Sequence, residues 1–373
     1  MTTLDELTAD PHPVLARLRG SSPVAWVPVL DGWLVTGYAP AQQVMRDAAT
    51  FTVDDPRFST ATVVGPSMLS LDGAAHARHR DPFVSPFRPA PVRDRYAALV
   101  ARSTARLIDT LLPRGRAELR ADFAGPLALA VLADALGLTG VDGDAVRTWY
   151  AALVESVSAV TAGGPPTEAG AAAFRELGAH VHRTLADPAA DSLLTGIALE
   201  PAEVVANAAV LMFGGIDTTE GMIANLVLHL LSHPAALAEV RADRTLLPNA
   251  IEESMRVEPA ASVVDRYATR DVTLAGTRIA KGDLVRVSIA GANRDPAVFP
   301  DPDTFDLRRT NARTNLAFAL GPHFCLGARL ARVEAEIAMT ALMDRLPRLR
   351  LAAPVTPSGL VFRRPPTLPV RWD

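Results

Sequence analysis

The 373-residue chain holds a single cysteine, Cys325, and a single lysine, Lys281. One thiol excludes an intramolecular disulfide and any structural zinc site built on several thiolates. With histidine set aside, every other basic residue is arginine, and alanine and proline are abundant, the compositional pattern of a GC-rich bacterial gene. There is no basic excess. The formal net charge is −4, which argues against nucleic acid as a main partner, because neutralising phosphates takes clustered Lys and Arg. No run approaches the ~18 uninterrupted apolar residues that a membrane span needs. The opening MTTLDELTADPH is too acidic and polar for a signal peptide. The sequence therefore predicts a soluble, cytoplasmic protein with neither a membrane nor a nucleic acid as partner.

What is present is an ordinary globular composition, 49% hydrophobic and 21% charged. The length exceeds the roughly 250–300 residues at which single cores stop growing, so one very large domain or two conventional ones are possible. Either can bury a sizeable planar ligand.

The spacing predicts a short helix over residues 3–19, then a hairpin of strands 24–29 and 33–35 turned by Asp31-Gly32. Residues 52–70 read as a loop. Helix predominates from about 72 to 255, where Leu99, Val100, Leu107, Ile108, Leu111 and Leu112 share one face. Pro201 opens a long helical segment that Pro234 must end. Short strands follow at 263–264, 271–274 and 284–289, then an irregular stretch over 294–310. A loop around Cys325 precedes a helix over about 326–346, and the tail is strand-like at 360–361 and 368–370. The expected fold class is mainly α with a smaller β region, β-rich near 20–55, 260–290 and 350–373, with the helical bulk at 72–255.

Four constellations carry chemistry. In the segment 318–327, Gly321 and Gly327 bracket Cys325, so the backbone there can turn tightly or be approached by a flat partner. A helix opening just after the cysteine aims N–H groups and partial positive charge at the sulfur, favouring thiolate. His323 is too close in sequence to orient easily as a general base. The apolar neighbours Phe318, Leu320 and Phe324 suit a buried metal–sulfur bond better than an exposed nucleophile.

The second constellation is Phe213-Gly-Gly-Ile-Asp-Thr-Thr219, at the middle of the long helical segment. Two adjacent glycines there cost about 2 kcal/mol relative to alanine, and burying the charge of Asp217 unpaired costs several kcal/mol more. Two readings stand at this point. One is a glycine contact where another helix crosses, with Asp217 capped by an arginine. The other is a local opening of the helix that admits a small ligand, with an acid and a hydroxyl beside it for proton delivery. Third, Glu253 and Arg256 lie one helical turn apart, a spacing common on solvated faces. Fourth, His76 and Arg80 share a helix face at i,i+4, and with Arg266 they can clamp carboxylates.

Together these pieces resemble the cytochrome P-450 superfamily, specifically its soluble bacterial members, over about residues 54–370 and in the family's order. The haem-binding signature matches at Phe318, Gly321, His323, Cys325 and Gly327; Ala319 departs from it, where the family often has glycine. Gly214 to Thr218 resembles the oxygen-binding groove of the family's central helix. Glu253 and Arg256 match its helix pair, which implies a buried scaffold role. Thr304 stands where a third partner arginine is often found, leaving Arg308 or Arg309 as the substitute.

The resemblance implies a single cytochrome P-450-like domain over 1–373, with a long central helix over a haem b whose iron takes Cys325 as proximal thiolate. His76, Arg80, Arg266 and His323 would hold the two propionates, Gly214, Phe318 and Gly327 would contact the cofactor, and Asp217 and Thr218 would relay protons for dioxygen activation. The pocket would include Phe213, Val263, Val264 and Val361, lined besides by the 55–70 loop and residues 150–180, with the 150–175 stretch as a mobile lid. Its lining points to a small, largely apolar or aromatic substrate of bacterial specialised metabolism. Electrons would come from a separate ferredoxin and ferredoxin reductase, received on Arg78, Arg329 and Arg332. The implied activity is monooxygenation with O2. Oxidative coupling without oxygen insertion, or non-catalytic haem binding, are the alternatives.

Overall fold

The computed structural model describes residues 2–138, 140–187 and 191–373. It is 58% helical and 11% strand, the expected mainly-α class with a minor sheet. The chain divides into two compact units: Met1–Thr52, Thr104–Ala124 and Thr218–Asp373 form the first, Val53–Ser103 and Gly125–Asp217 the second.

The first unit is built around a five-stranded sheet in the order Val24–Val27, Gly32–Val35, Leu284–Ser288, Val263–Ala268, Phe51–Thr52. The predicted hairpin is present. Asp31 adopts the left-handed conformation (φ 45°) just before Gly32, and Pro28 ends the first strand by starting a short 3-10 turn. Gly32–Val35 pairs with Leu284–Ser288 in parallel, and the remaining pairs are antiparallel. Val35, Phe51, Val285, Val287 and Leu316 form a dry core on this sheet. A two-stranded ribbon joins Val272–Leu274 to Thr277–Ile279, and a three-stranded sheet collects Arg116–Glu118, Pro369–Arg371 and Arg350–Leu351. Helices Asp217–Ser232, Leu247–Val257 and Ala328–Arg345 carry most of the chemistry-bearing residues of this unit.

The second unit is helical. Its largest pieces are Gly73–Val84, Gly125–Ala135, Gly143–Thr161, Glu168–Ala186 and Pro201–Gly215. Thr167 caps Glu168–Ala186 by accepting from the Gly170 N–H at 3.0 Å. Gly170 also lets that helix approach Ser156 of Gly143–Thr161 closely, since a Cβ there would collide with it.

Four expectations are corrected. The amino-terminal helix is two, Leu4–Ala9 and His12–Ser21, because Pro11 and Pro13 remove donors from any continuous ladder. The 52–70 loop contains a helix, Ser59–Val64, held by Thr161 donating to Ser59 Oγ at 2.9 Å. Strand Thr277–Ile279 was not expected; a turn at Ala275 (φ 48°) and Gly276 (φ 82°) makes the ribbon possible. Leu112 falls outside the apolar face, 41% exposed, because helix Ala97–Leu111 has already ended before Pro113. Among the described residues no single helix is long and apolar enough to cross a membrane; Pro201–Ser232 and Pro234–Ala242 meet the joint requirement of length and composition only as a pair, and that pair is bent by 103°.

Candidate active site

The Cys325 loop is closed by its own backbone. The Cys325 N–H donates to the Phe318 carbonyl at 2.9 Å, and the Phe324 N–H to that of Gly321 at 3.1 Å. Ala319, where the sequence lacks the family's glycine, nevertheless takes φ 56°, at a cost of roughly 1–2 kcal/mol for a residue with a Cβ. Gly321 (φ 71°) has no such choice: a Cβ there would stand 2.5 Å from the Met45 carbonyl oxygen. Helix Ala328–Arg345 begins three residues after the cysteine, so its amino-terminal dipole favours the thiolate form. Cys325 and His323 are half-buried and Phe324 is 43% exposed.

The irregular stretch that precedes this loop is held by a buried ionic frame. Glu253 and Arg256, on helix Leu247–Val257, are both fully buried and bidentate, at 2.7 and 2.8 Å. The surface-pair reading of this spacing is thereby excluded. Arg309 completes the frame, donating to Glu253 Oε1 at 3.0 Å, whereas Arg308 is exposed and pairs with Glu239. Arg256 and Arg309 then spend their other donors on carbonyls of Asn293, Pro300, Asp301, Pro302 and Thr304, which explains how an irregular stretch holds one shape.

Sequence reasoning missed Glu252. Its carboxylate takes Arg332 Nε at 2.6 Å and Asn315 Nδ2 at 3.0 Å, and the Arg332 guanidinium lies 4.4 Å from the Phe318 ring centre. Two adjacent glutamates in one helix were the only available signal.

The long helical segment is interrupted where the glycines stand. One helix ends at Gly215 and the next begins at Asp217, with Ile216 between them still donating to the Met212 carbonyl at 3.1 Å. The two glycines differ in their surroundings. A Cβ on Gly215 would meet the Leu132 side chain at 3.2 Å, which is a helix-crossing contact; one on Gly214 would meet nothing within 4 Å. Asp217 is buried at 8% exposure and Thr218 half-buried. Phe213 lies beside Tyr150, ring centres 6.2 Å apart.

Helix Gly73–Val84 carries His76, buried at 5% exposure, and Arg80, half-buried. Between them His79, unremarked in the sequence, is buried in a chain of its own: Asn207 Nδ2 donates to its Nδ1 at 3.0 Å, and its Nε2 faces Glu203 at 3.3 Å. Arg78 pairs with Glu203 and holds that carboxyl down at about 2. Arg266, on strand Val263–Ala268, is buried at 4% exposure and donates to the Asp265 carbonyl at 2.7 Å.

The sequence profile of the family described as Cytochrome P450 matches residues 189–349. Cytochrome P450 monooxygenase PikC of Streptomyces venezuelae is 37% identical over 98% of this chain and 92% of its own. The chain belongs to the cytochrome P450 family. The biotin biosynthesis cytochrome P450 of Bacillus subtilis is 31% identical over 94% and 93% of the two chains. Among solved structures, P450BioI in complex with an acyl carrier protein ligated to hexadec-9Z-enoic acid superposes with a TM-score of 0.90 (29% identity, 98% and 99% coverage). CalO2 gives 0.90 as well, at 29% identity over 100% and 99%.

As a P450, the protein is a bacterial haem-thiolate monooxygenase of secondary metabolism, and its single cysteine is the proximal ligand. The donor set fits the group. Among the described residues no cluster of three or more His, Cys, Asp and Glu stands ready to hold an ion. One soft sulfur in an aromatic, half-buried loop suits a metal whose other ligands come with a macrocycle.

In this P450, residues 260–262 and 361–363 pair in antiparallel fashion around Ala261 and Phe362. Alternation separates the expected pocket residues. Val264 packs into the sheet core, while Val263 turns to the other face and Val361 is 42% exposed. Two of the three arginines expected to receive a ferredoxin are already neutralised, Arg78 by Glu203 and Arg332 by Glu252, each in an ion pair. Arg329 is exposed.

Proposed function

We propose that residues 1–373 act as one cytochrome P450 domain in the cytoplasm, inserting one oxygen atom from O2 into a small, largely apolar or aromatic molecule. Electrons come from a separate ferredoxin and ferredoxin reductase. The observation that carries this reading is the closed loop that presents Cys325 at a helix start, braced at Phe318 by the Glu252–Arg332 pair. The haem, when bound through that sulfur, supplies the activation of dioxygen.

The chain's own residues do the rest. Cys325 would hold the cofactor's iron through its thiolate, and Phe318, Gly327 and Gly214 would contact the cofactor. His76, Arg80, Arg266 and His323 would supply donors for the cofactor's two carboxylates, which need partners once out of water. Asp217 and Thr218, at the start of helix Asp217–Ser232, hold an acid and a hydroxyl for proton delivery. Val263 and Val361 would offer apolar surface to the substrate, as would Phe213, and none of the three reads a charged substrate.

The first test is the absorption spectrum of the reduced carbon-monoxide complex in the wild type and in Cys325→Ser. A far-red-shifted band lost in the variant supports the thiolate; colourless wild-type protein after expression with ample haem precursor refutes the reading. Thr218→Ala should keep consuming electrons but divert them to hydrogen peroxide, and an unchanged product yield removes the hydroxyl from the chemistry. Reversing the charge of Arg329 without slowing reduction counts against ferredoxin docking there.

A further inference from the structure

One buried cation ties down the turn that carries Val361. Residues 358–364 fold back through the paired Ser358 and Arg364. Gly359 (φ 114°) is obligatory just after Ser358, because a Cβ would collide with the Phe362 carbonyl. Arg363 lies under the turn with 1% exposure. Its guanidinium donates to Glu258 Oε1 at 2.7 Å and to the carbonyls of Thr8, Gly359 and Pro357 at 3.0, 3.1 and 3.0 Å. Burial pushes the Glu258 carboxyl up, but His12, at 3.0 Å, and Arg363 outweigh it and hold it down at about 2.

Asn225 adds a second tether. Its amide donates to the carbonyls of both Glu258 and Arg363, each at 3.0 Å, about two turns along the helix from Thr218. Between the two, Gly221 faces Ala260, where a Cβ would stand 3.1 Å from the alanine Cβ. The Arg363 N–H donates to Ala260 O at 2.9 Å and the Ser262 N–H to Val361 O at 2.8 Å. Alternation then seats Leu360 on the cluster of Leu7, Val14 and Leu34 and leaves Val361 facing out.

We propose that Arg363 is a positioning residue for substrate selection: through Glu258 and Asn225 it fixes the height of Val361 and Val263 relative to Thr218. This rests on the reading of Val361 and Val263 as pocket residues. It goes further by assigning selectivity to a side chain that touches no substrate.

The test compares 1-dodecylimidazole with imidazole as ligands of the haem-loaded protein. The imidazole head is common to both, so the ratio of their Kd values reports the alkyl chain in the pocket. Arg363→Lys keeps the charge opposite Glu258 but cannot span four acceptors. Expected are an unchanged imidazole affinity, a ratio moved by about threefold or more, and faster amide hydrogen exchange at Gly359, Ser262 and Arg363→Lys itself. Val361→Ala should move the ratio comparably, and the double variant no further than the larger single one.

A wild-type ratio in Arg363→Lys beside a changed one in Val361→Ala overturns the positioning role and spares the pocket. Wild-type ratios in both Val361→Ala and Val263→Ala sink the pocket reading and the positioning role with it. If Arg363→Lys yields no folded haem protein, Asn225→Ser cuts the tether from the helix side; a wild-type ratio there is equally fatal.

Discussion

Arg332 donates to both oxygens of Glu252, at 2.6 and 3.3 Å, while its guanidinium lies over the Phe318 ring. One side chain thus joins helix Leu247–Val257, the stretch entering the Cys325 loop and the helix leaving it. Glu252→Gln keeps the shape and one acceptor but strips Arg332 of its counter-charge. Arg332 is 35% exposed, so solvent offsets part of the loss and about 1–3 kcal/mol is expected. The variant should lose haem faster than the wild type, and its carbon-monoxide band should revert from the thiolate form before the protein unfolds. Equal haem-loss rates would remove Glu252 from the proximal frame.

The frame around Glu253 predicts a contrast between neighbouring arginines. Arg309 reaches a fully buried carboxylate, whereas Arg308 pairs with Glu239 on the surface. Truncating one partner of a buried pair costs up to ~3–5 kcal/mol, and an exposed pair contributes about 0–1 kcal/mol. Urea unfolding of Arg309→Met and Arg308→Met should therefore separate by several kcal/mol. Equal midpoints would mean that Arg256 alone satisfies Glu253.

What was legible in the sequence was local. The Asp31-Gly32 hairpin, the loop bracketed by Gly321 and Gly327, and the interruption at Gly214-Gly215 each follow from backbone rules acting over a few residues. Pairings that span long separations left no such trace: Glu252 with Arg332, His79 with Asn207 and Glu258 with Arg363 join residues 80, 128 and 105 positions apart. The choice between Arg308 and Arg309 was open for the same reason, since both have the right charge and only the fold aims one inward. Helix Ser59–Val64 escaped because its support comes from Thr161 rather than from its own six residues. Two-faced strands deceived in another way, as Val263 and Val264 are equally apolar and point in opposite directions.

Acid sensitivity should begin above the carboxylate range. Burial against Phe305 and Ser254 lowers His229 from 6.5 to about 4, so the folded state binds its proton later than the unfolded chain does. Its contribution is complete above pH 6.5 and is lost as pH falls towards 4, by up to ~3 kcal/mol. Glu258, held at about 2 against an ordinary 4.5, adds a second loss only below pH 4.5. His229→Gln should flatten the upper limb of a Tm-against-pH curve and leave the lower one. Parallel curves for variant and wild type between pH 6.5 and 4 would assign the upper limb to another group.

The two central glycines should respond to alanine with opposite signs. At Gly214 a Cβ meets nothing within 4 Å, so the only first-order change in stability is helix propensity, a gain of about 1 kcal/mol or some 1–2 °C in a chain of this length. At Gly215 the same methyl presses on Leu132 at 3.2 Å, and that side chain must give way, offsetting the gain. If the room at Gly214 exists to admit a small ligand beside Asp217 and Thr218, filling it must cost function while it adds stability. Gly214→Ala should melt higher and keep its haem, yet convert a smaller share of the electrons consumed into product and a larger share into hydrogen peroxide. An unchanged ratio of product to electrons would show that the interruption serves packing alone, and so would an unchanged ratio accompanied by a lower Tm.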